Sequence, residues 1–308
     1  MAVEDPHYPV KLPVTFAGVY GAIMVATMIN LCLYGVGLLM VLQYFRQHSK
    51  NDPILPKITI VVLIILATLQ TIFASHQVYD TFVTKGGQMV LLDEIMFSVP
   101  GAWMCGYLAA FFAEGYFCTR IWIAGERMNS RARYAVIPVT LLAFIHISAG
   151  LAQVIVMGTS HTYSKMTMRT NLLLETTAVQ GAGAALADII ISATLCYIFH
   201  TNRSGLGRTN SMINKLITYA IIRAIATSFS AVMAVILYYF CSGTYYFMIP
   251  LFACTHLYLI SAVSMLTSRE GIREQGDPSF HVSNLEMSTT KGSIIINGSE
   301  MSSHTTSG

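Results

Sequence analysis

The apolar residues of this chain are concentrated in long runs. A bilayer core of roughly 30 Å requires about 20 apolar residues in a helix that crosses it. Seven runs come close to this length or exceed it, at about residues 17–43, 58–79, 97–124, 135–157, 179–200, 213–239 and 246–267. The pattern predicts an all-α fold, a polytopic membrane protein built as a bundle of seven transmembrane helices.

The composition supports this fold class. Of the 308 residues 54% are hydrophobic and only 11% are charged, whereas ordinary soluble domains have roughly 25% charged residues. We expect an extracellular N-terminal segment at 1–16, the seven-helix domain at 17–268, and a disordered cytoplasmic tail rich in Ser and Thr at 269–308. The net charge of +3 is too small to indicate nucleic acid as a partner, so the expected partner is the lipid bilayer.

Lysine and arginine are distributed unevenly between the two sides of the predicted bundle. One side has twelve of them, and the other side has four. Cytoplasmic loops are enriched in these residues. We therefore expect an integral membrane protein of the plasma membrane, with its N-terminus outside and its C-terminus in the cytoplasm. The twelve are Arg46, Lys50, Lys57, Arg127, Arg131, Arg133, Arg203, Arg208, Lys215, Arg269, Arg273 and Lys291, and the four are Lys11, Lys85, Lys165 and Arg169.

Five ionisable side chains interrupt the apolar runs: Glu114, His146, Asp188, Arg223 and His256. A charge at the bilayer centre costs about 2.5–3.5 kcal/mol on insertion scales and usually faces the bundle interior with a partner. The helical rise places the five about 12–18 Å above the cytoplasmic ends of their helices. They therefore predict one polar layer, in which Arg223 pairs with Asp188 or Glu114. The layer either fixes the packing of the helices or binds a ligand or a proton.

Several function classes do not suit the sequence. The last apolar run has no lysine, so a retinal Schiff base cannot form there. The six cysteines include no C-x-x-C pair and no spacing suited to zinc. We expect no catalytic residue, no metal and no cofactor, and hence no enzyme. The runs show no internal repeat of the kind that many secondary transporters carry. The topology matches animal heptahelical receptors, but the Asn-Pro motif of their last helix is missing.

Residues 188–228 contain a distinctive set of motifs: Asp188, Arg203, Ser204, Gly205, Arg208, Thr209, Asn210, Leu216, Ile217, Tyr219, Thr227 and Ser228. They follow the pattern of an Asp, an Arg-Ser-Gly triplet, a basic residue with Thr and Asp or Asn, a Leu-Ile-x-Tyr segment and a closing Thr-Ser. In this pattern the region resembles a family of seven-span proteins of unknown function from mushroom-forming and related basidiomycete fungi. The resemblance implies a seven-helix fold, a membrane location and a fungal origin, and it implies no chemistry.

The predicted inner loop NRSGLGRTNS carries Arg203 and Arg208. Basic residues at this position interact with the anionic lipid headgroups of the cytoplasmic leaflet. The loop then serves either to fasten two helices to the membrane or as a coupling surface for a cytosolic signalling partner.

The favoured function is a receptor-like or sensory role, because the chain combines seven spans in this orientation with basic inner loops and a hydroxyl-rich tail. Two alternatives remain. One is a small-solute or proton-coupled transporter that uses the polar layer, and the other is a structural or lipid-organising membrane protein.

The orientation makes a prediction about two N-x-S sequons, at Asn202 and Asn297. Both lie on the predicted cytoplasmic side, where no oligosaccharide is attached, so we expect neither asparagine to be glycosylated in a eukaryotic host. Electrophoretic mobility before and after endoglycosidase treatment measures this, with a sequon engineered into segment 1–16 as the positive control. A mobility shift that Asn202→Gln removes would contradict the orientation.

Overall fold

The computed structural model describes residues 17–48, 53–86, 94–127, 129–160, 162, 170–201, 207–240 and 244–274. The N-terminal segment 1–16, the loop residues 202–206 and the tail from 275 onwards lie outside the described residues. Within the described part the chain forms seven long helices: α1 Ala22–Gln43, α2 Ile54–Tyr79, α3 Ser98–Arg127, α4 Val136–Ser160, α5 Thr170–Thr201, α6 Gly207–Phe240 and α7 Met248–Glu274.

Five of the helices are long and apolar enough to cross a membrane, namely α1, α2, α4, α5 and α7. In α6 the apolar stretch among the described residues is the shorter segment Ala220–Ala234. Helix α3 carries Glu114 and Arg120 and many small or aromatic residues, which lower its mean hydropathy. The prediction of an all-α polytopic bundle is confirmed.

The helices form a closed ring. Each helix packs against the next one in the chain, and α7 packs against α1. Helix α3 also contacts α5 and α7, and α2 also contacts α7. Helix α3 therefore lies toward the centre of the bundle, where it can bring side chains close to several neighbours.

A glycine sets the close approach of α3 and α4. A Cβ atom at Gly150 of α4 would lie 2.6 Å from Cδ2 of Tyr107 in α3, so no larger residue fits there unless the aromatic ring moves. Small residues at helix contacts let backbones approach closely in membrane proteins. The Tyr107 ring consequently lies against the α4 backbone, and its hydroxyl is directed deeper into the bundle interior.

The two halves of the bundle are packed differently. We call the half in which α1, α3, α5 and α7 end the inner half, and the opposite half the outer half. Large side chains that are fully buried fill the inner half. The outer half has a separate and smaller core around Trp103, Tyr107 and Phe252. Among the buried residues of the inner half are Tyr44, Phe117, Ile121, Leu195, Ile198, Leu259 and Leu266.

The segments at the outer end are tied together by charge. The Lys85 Nζ atom lies 3.3 Å from Asp80 Oδ2 and 3.9 Å from Glu94 Oε2. Glu94 also forms an isolated antiparallel bridge with Thr162. These contacts hold the end of α2, the segment before α3 and the segment after α4 at one place.

Candidate functional site

The ionisable groups predicted from the sequence lie between the two halves of the bundle, and the first pair joins α5 to α6. A guanidinium N–H of Arg223 donates directly to Oδ1 of Asp188. The Tyr258 hydroxyl of α7 donates to the other carboxylate oxygen, Oδ2, at 3.0 Å. Asp188 is fully buried and Arg223 is 3% exposed. Both oxygens of this buried carboxylate therefore have a donor.

The Arg223 side chain is also covered by aromatic rings. Its Cζ atom lies 3.8 Å from the centroid of the Phe117 ring in α3 and 5.7 Å from that of Tyr258. A desolvated guanidinium over an aromatic face gains about 2 kcal/mol or more. The pair thus draws α3 and α7 against α5 and α6, and the four helices meet at one charged centre.

Glu114 lies beside His146 and not beside Arg223, the partner that its charge suggested. Its Oε2 lies 3.7 Å from Nδ1 of His146 in α4, and both side chains are completely buried. Neither carboxylate oxygen and neither ring nitrogen makes a hydrogen bond within the described structure. Of the two acids predicted to pair with Arg223, the structure selects Asp188, because α5 and α6 are neighbours in the ring whereas Glu114 lies on α3 beside α4.

His256 belongs to a third group. Its Nε2 donates to Asn30 Oδ1 at 2.7 Å, and the Asn30 amide donates to Thr71 Oγ1 at 3.1 Å. The Thr71 hydroxyl donates to the Ala67 carbonyl at 2.8 Å. This chain of hydrogen bonds connects α7, α1 and α2. The five predicted residues are therefore all buried, but they form three separate groups rather than one network.

A further chain of hydrogen bonds lies on the outer side of the polar groups. The Tyr107 hydroxyl donates to Gln153 Oε1, and the Gln153 amide donates to the Thr177 hydroxyl. These bonds join α3, α4 and α5. The Tyr107 ring lies edge-on to the His146 ring, with 6.2 Å between the centroids.

A cavity of ≈ 80 Å³ occupies the outer half directly beside these groups. One water molecule needs roughly 10–15 Å³ on the same measure, so the cavity has room for several. Its lining comes from α2 through α7, and in α3, α5 and α6 every lining residue lies on the outer side of Glu114, Asp188 or Arg223. The polar groups therefore form its floor, where His146 and Tyr258 belong to the lining.

Three lining side chains hold polar atoms without a hydrogen-bond partner. They are Gln70 with Oε1, Trp103 with Nε1 and His146 with both ring nitrogens. All three are at least nine-tenths buried, with exposures of 2%, 6% and 0%. A buried donor or acceptor that lacks a partner costs about 1–3 kcal/mol. Such atoms on a cavity wall indicate that the cavity takes up molecules that can hydrogen-bond.

The described residues contain no cluster of three or more His, Cys, Asp or Glu that could hold a metal ion. The other predicted element, the inner loop, is not placed: Arg203 lies outside the described residues, and only the backbone of Arg208 is described.

A family of unknown function (DUF6534) matches residues 184–271. The match covers the second half of α5, the whole of α6 and most of α7, and includes the Asp188, Arg223 and Tyr258 cluster. No curated protein and no solved structure matches the chain. Taken with the apolar helices, the match is consistent with a multi-pass membrane protein that has a DUF6534-like region at residues 184–271.

Phe117, Tyr107 and Trp103 belong to the site and were not predicted from the sequence. An aromatic residue in an apolar run gives no signal of its own, because most such residues fill the core. Phe117 could have been found from its spacing, since it lies three residues after Glu114 and therefore on the same face of α3.

Substitution of one partner of the buried pair tests how much the pair contributes to the free energy of unfolding. Asp188→Asn leaves Arg223 charged and unpaired, which we expect to cost about 3–5 kcal/mol of unfolding free energy. The double variant Asp188→Leu/Arg223→Met removes both charges and should recover most of this loss. Unfolding of the purified protein in detergent measures both effects.

Glu175→Gln is the matched control, because Glu175 lies on the same helix with an exposed side chain. Surface substitutions usually stay within about 0.5 kcal/mol. The pair would have no stabilising role if Asp188→Asn unfolded with the same free energy as the wild type. The same conclusion would follow if the double variant were no more stable than Asp188→Asn.

Proposed function

We propose that the chain is a receptor-like, sensory membrane protein that binds a small molecule in the cavity of the outer half. The observation that carries this proposal is the cavity wall, on which Gln70, Trp103 and His146 hold unpartnered polar atoms. A largely apolar pocket with a few convergent polar groups is the usual form of a small-molecule site.

The contrast between the two halves favours a sensor over a carrier. Below the cavity lie the paired Asp188 and Arg223, and below those the large buried side chains of the inner half. A carrier requires a route that opens to each side in turn. In this conformation the described side chains of the inner half are densely packed. This packing suits a receptor in which the ligand moves helices better than a carrier through which the ligand passes.

The proposal includes the membrane topology expected from the sequence. All seven helices cross the plasma membrane of a fungal cell, with the outer half facing outside and the C-terminus in the cytoplasm. Support comes from the uneven distribution of Lys and Arg and from the resemblance to basidiomycete proteins. No enzymatic step and no cofactor are part of the proposal.

The signal would leave through the connection between α5 and α6. The Asp188–Arg223 pair clamps these two helices, and both contribute to the cavity wall. A ligand that moves one wall relative to the other strains the clamp and shifts the connecting loop. Arg203 and Arg208 of this loop are the proposed contacts of a cytosolic signalling partner.

The test uses the protein in lipid nanodiscs and a panel of neutral, cationic and anionic small molecules. We expect at least one molecule to raise the thermal unfolding midpoint in a saturable manner. We also expect the same molecule to change hydrogen exchange in segment 202–208. The second readout tests signalling, because a ligand that only fills the cavity leaves the inner loop unchanged.

Two glycines provide a matched pair of variants. A Cβ atom at Gly181, on the cavity wall, meets nothing within 4 Å, and the same holds for the exposed Gly158 of α4. Gly181→Leu should fill the cavity and abolish binding, whereas Gly158→Leu should retain it. Binding that survives Gly181→Leu, or no response to any molecule, would refute the proposal.

A proton-coupled transporter is the second candidate, and the Glu114–His146 contact favours it. The two groups lie 3.7 Å apart, both side chains are completely buried, and the carboxylate makes no hydrogen bond among the described residues. Such intramembrane acid and histidine pairs serve as proton relays in pumps and transporters.

Proteoliposomes that contain a pH-sensitive dye distinguish this candidate. A transporter predicts proton movement that Glu114→Gln lowers at least about tenfold, which is a barrier change of roughly 1.4 kcal/mol. Glu114→Asp, which keeps the carboxyl group, should retain part of the flux, and gel filtration shows that each variant is folded. Absence of flux removes this candidate, and absence of both flux and ligand binding favours a structural or lipid-organising role.

A further inference from the structure

The described lining residues of the cavity include no Asp, Glu, Lys or Arg. Of the charged groups nearby, Asp188 and Arg223 are bonded to each other, and the Tyr258 hydroxyl is already used by Asp188. Glu114 is not a lining residue, and its carboxylate lies 3.7 Å from Nδ1 of His146, which is a lining residue. A charged ligand would lose its water without gaining a counter-ion, which is unfavourable. The site therefore suits an uncharged molecule.

The free polar atoms call for a group that both donates and accepts. The indole N–H of Trp103 can only donate, whereas the side-chain amide of Gln70 presents an oxygen that accepts. A hydroxyl group has one proton to give and two lone pairs, so it can satisfy either atom. It also suits the Gln70 amide in both of its flipped orientations.

The polar atoms are at neighbouring positions on the wall. A Cβ atom at Gly106 would lie 3.7 Å from the Gln70 amide nitrogen and 3.3 Å from Thr255 Oγ1. Trp103 lies three residues before Gly106, which places it on the same face of α3. The polar end of a ligand can therefore contact α2, α3 and α7 together.

The opposite wall comes from α5 and α6 and combines small apolar residues with Thr177, Gln180, Thr227 and Ser230. The Thr177 and Thr227 hydroxyls already take part in hydrogen bonds within the bundle. The small residues between them leave space for an alkyl chain. Burial of such a chain contributes about 0.8 kcal/mol for each CH₂ group. The residues of this wall include Gly181, Ala184, Ala185, Ala231 and Ala234.

The size of the cavity limits the length of the chain. With roughly 10–15 Å³ for each water on this measure, ≈ 80 Å³ corresponds to about five to eight waters, or about 150–240 Å³ of liquid. An alcohol with about six carbon atoms occupies a volume in this range.

We propose that the cavity is a binding site for a small uncharged aliphatic alcohol, with its hydroxyl at Gln70 and Trp103 and its alkyl chain along the small residues of α5 and α6. The inference rests on the proposed function, since it names the ligand class of the same site. Every ligand of this class carries a hydroxyl group on an uncharged carbon chain.

The test uses Trp103 as its own reporter. The chain has two tryptophans, so Trp122→Phe leaves Trp103 as the only one. In this background, in lipid nanodiscs, we expect hexanol to cause a saturable red shift of the emission, because the indole N–H gains a partner. Hexane, hexanoate and hexylamine are titrated alongside, with the thermal midpoint as a second readout.

Three variants connect the signal with the site. Gln70→Leu should weaken hexanol binding by roughly two- to tenfold, as expected for the loss of one neutral hydrogen bond. Gly181→Leu should abolish the saturable signal, and Gly158→Leu should leave it unchanged. An emission shift that persists in Gly181→Leu would reflect hexanol in the lipid and would overturn the inference.

The remaining outcomes separate the ligand class from the function. We expect hexane to bind at least about tenfold more weakly than hexanol, since it leaves the buried polar atoms unpaired. Equal binding of hexane, or tighter binding of hexanoate or hexylamine, overturns the alcohol inference and leaves a ligand-binding cavity. If none of the four probes and no member of the larger panel binds, both the inference and the proposed function fail.

Discussion

The buried contact between Asp188 and Arg223 is the constraint on which the rest of the bundle depends. Breaking a buried ion pair by removing one partner is strongly destabilising, because it leaves an uncompensated charge. Tyr258 supplies the second donor to the carboxylate, and Phe117 covers the guanidinium. Four helices must therefore hold one relative rotation, since a turn of any of them would leave a charge unpaired.

The region that matches DUF6534 contains both residues of this contact. It begins at residue 184, four residues before Asp188, and ends at residue 271, near the end of α7. The segment contains Asp188, Arg223 and Tyr258, whose hydroxyl donates to Asp188. The ring that covers Arg223 belongs to Phe117 of α3, outside the match. The charged centre is thus a property of the DUF6534-like region, while the packing around it is completed by the remainder of the chain.

The sequence was sufficient for the helices and for the burial of the five ionisable residues. Apolar runs identify membrane helices because lipid forces backbone groups to pair within the helix, and a constant rise converts residue number into depth. All five ionisable residues placed by that rule are buried. The direction in which each side chain points depends on helix rotation and on the order of neighbours in the ring. That is why Arg223 had two candidate partners, and why the His256 contact with Asn30 was not foreseen.

The cavity could not be predicted from the sequence, because it is a space left between six packed helices. Its wall depends on small residues such as Gly181 and Ala231 and on the close approach of Tyr107 to Gly150. A glycine in an apolar run indicates either tight packing or open space, and the sequence does not distinguish them. Gly150 is an example of the first, since a Cβ atom would overlap the Tyr107 ring, and Gly181 is an example of the second.

The distribution of satisfied and unsatisfied groups argues against a purely structural polar layer. A layer that served only to fix the helices would pair every buried atom, as happens at both oxygens of Asp188. Gln70, Trp103 and His146 have polar atoms without a hydrogen-bond partner, and all three line the cavity. Unpartnered buried atoms on a cavity wall are expected of a site whose partners arrive from outside the chain. The same residues would have been replaced by apolar ones at little cost if the cavity were only a packing defect.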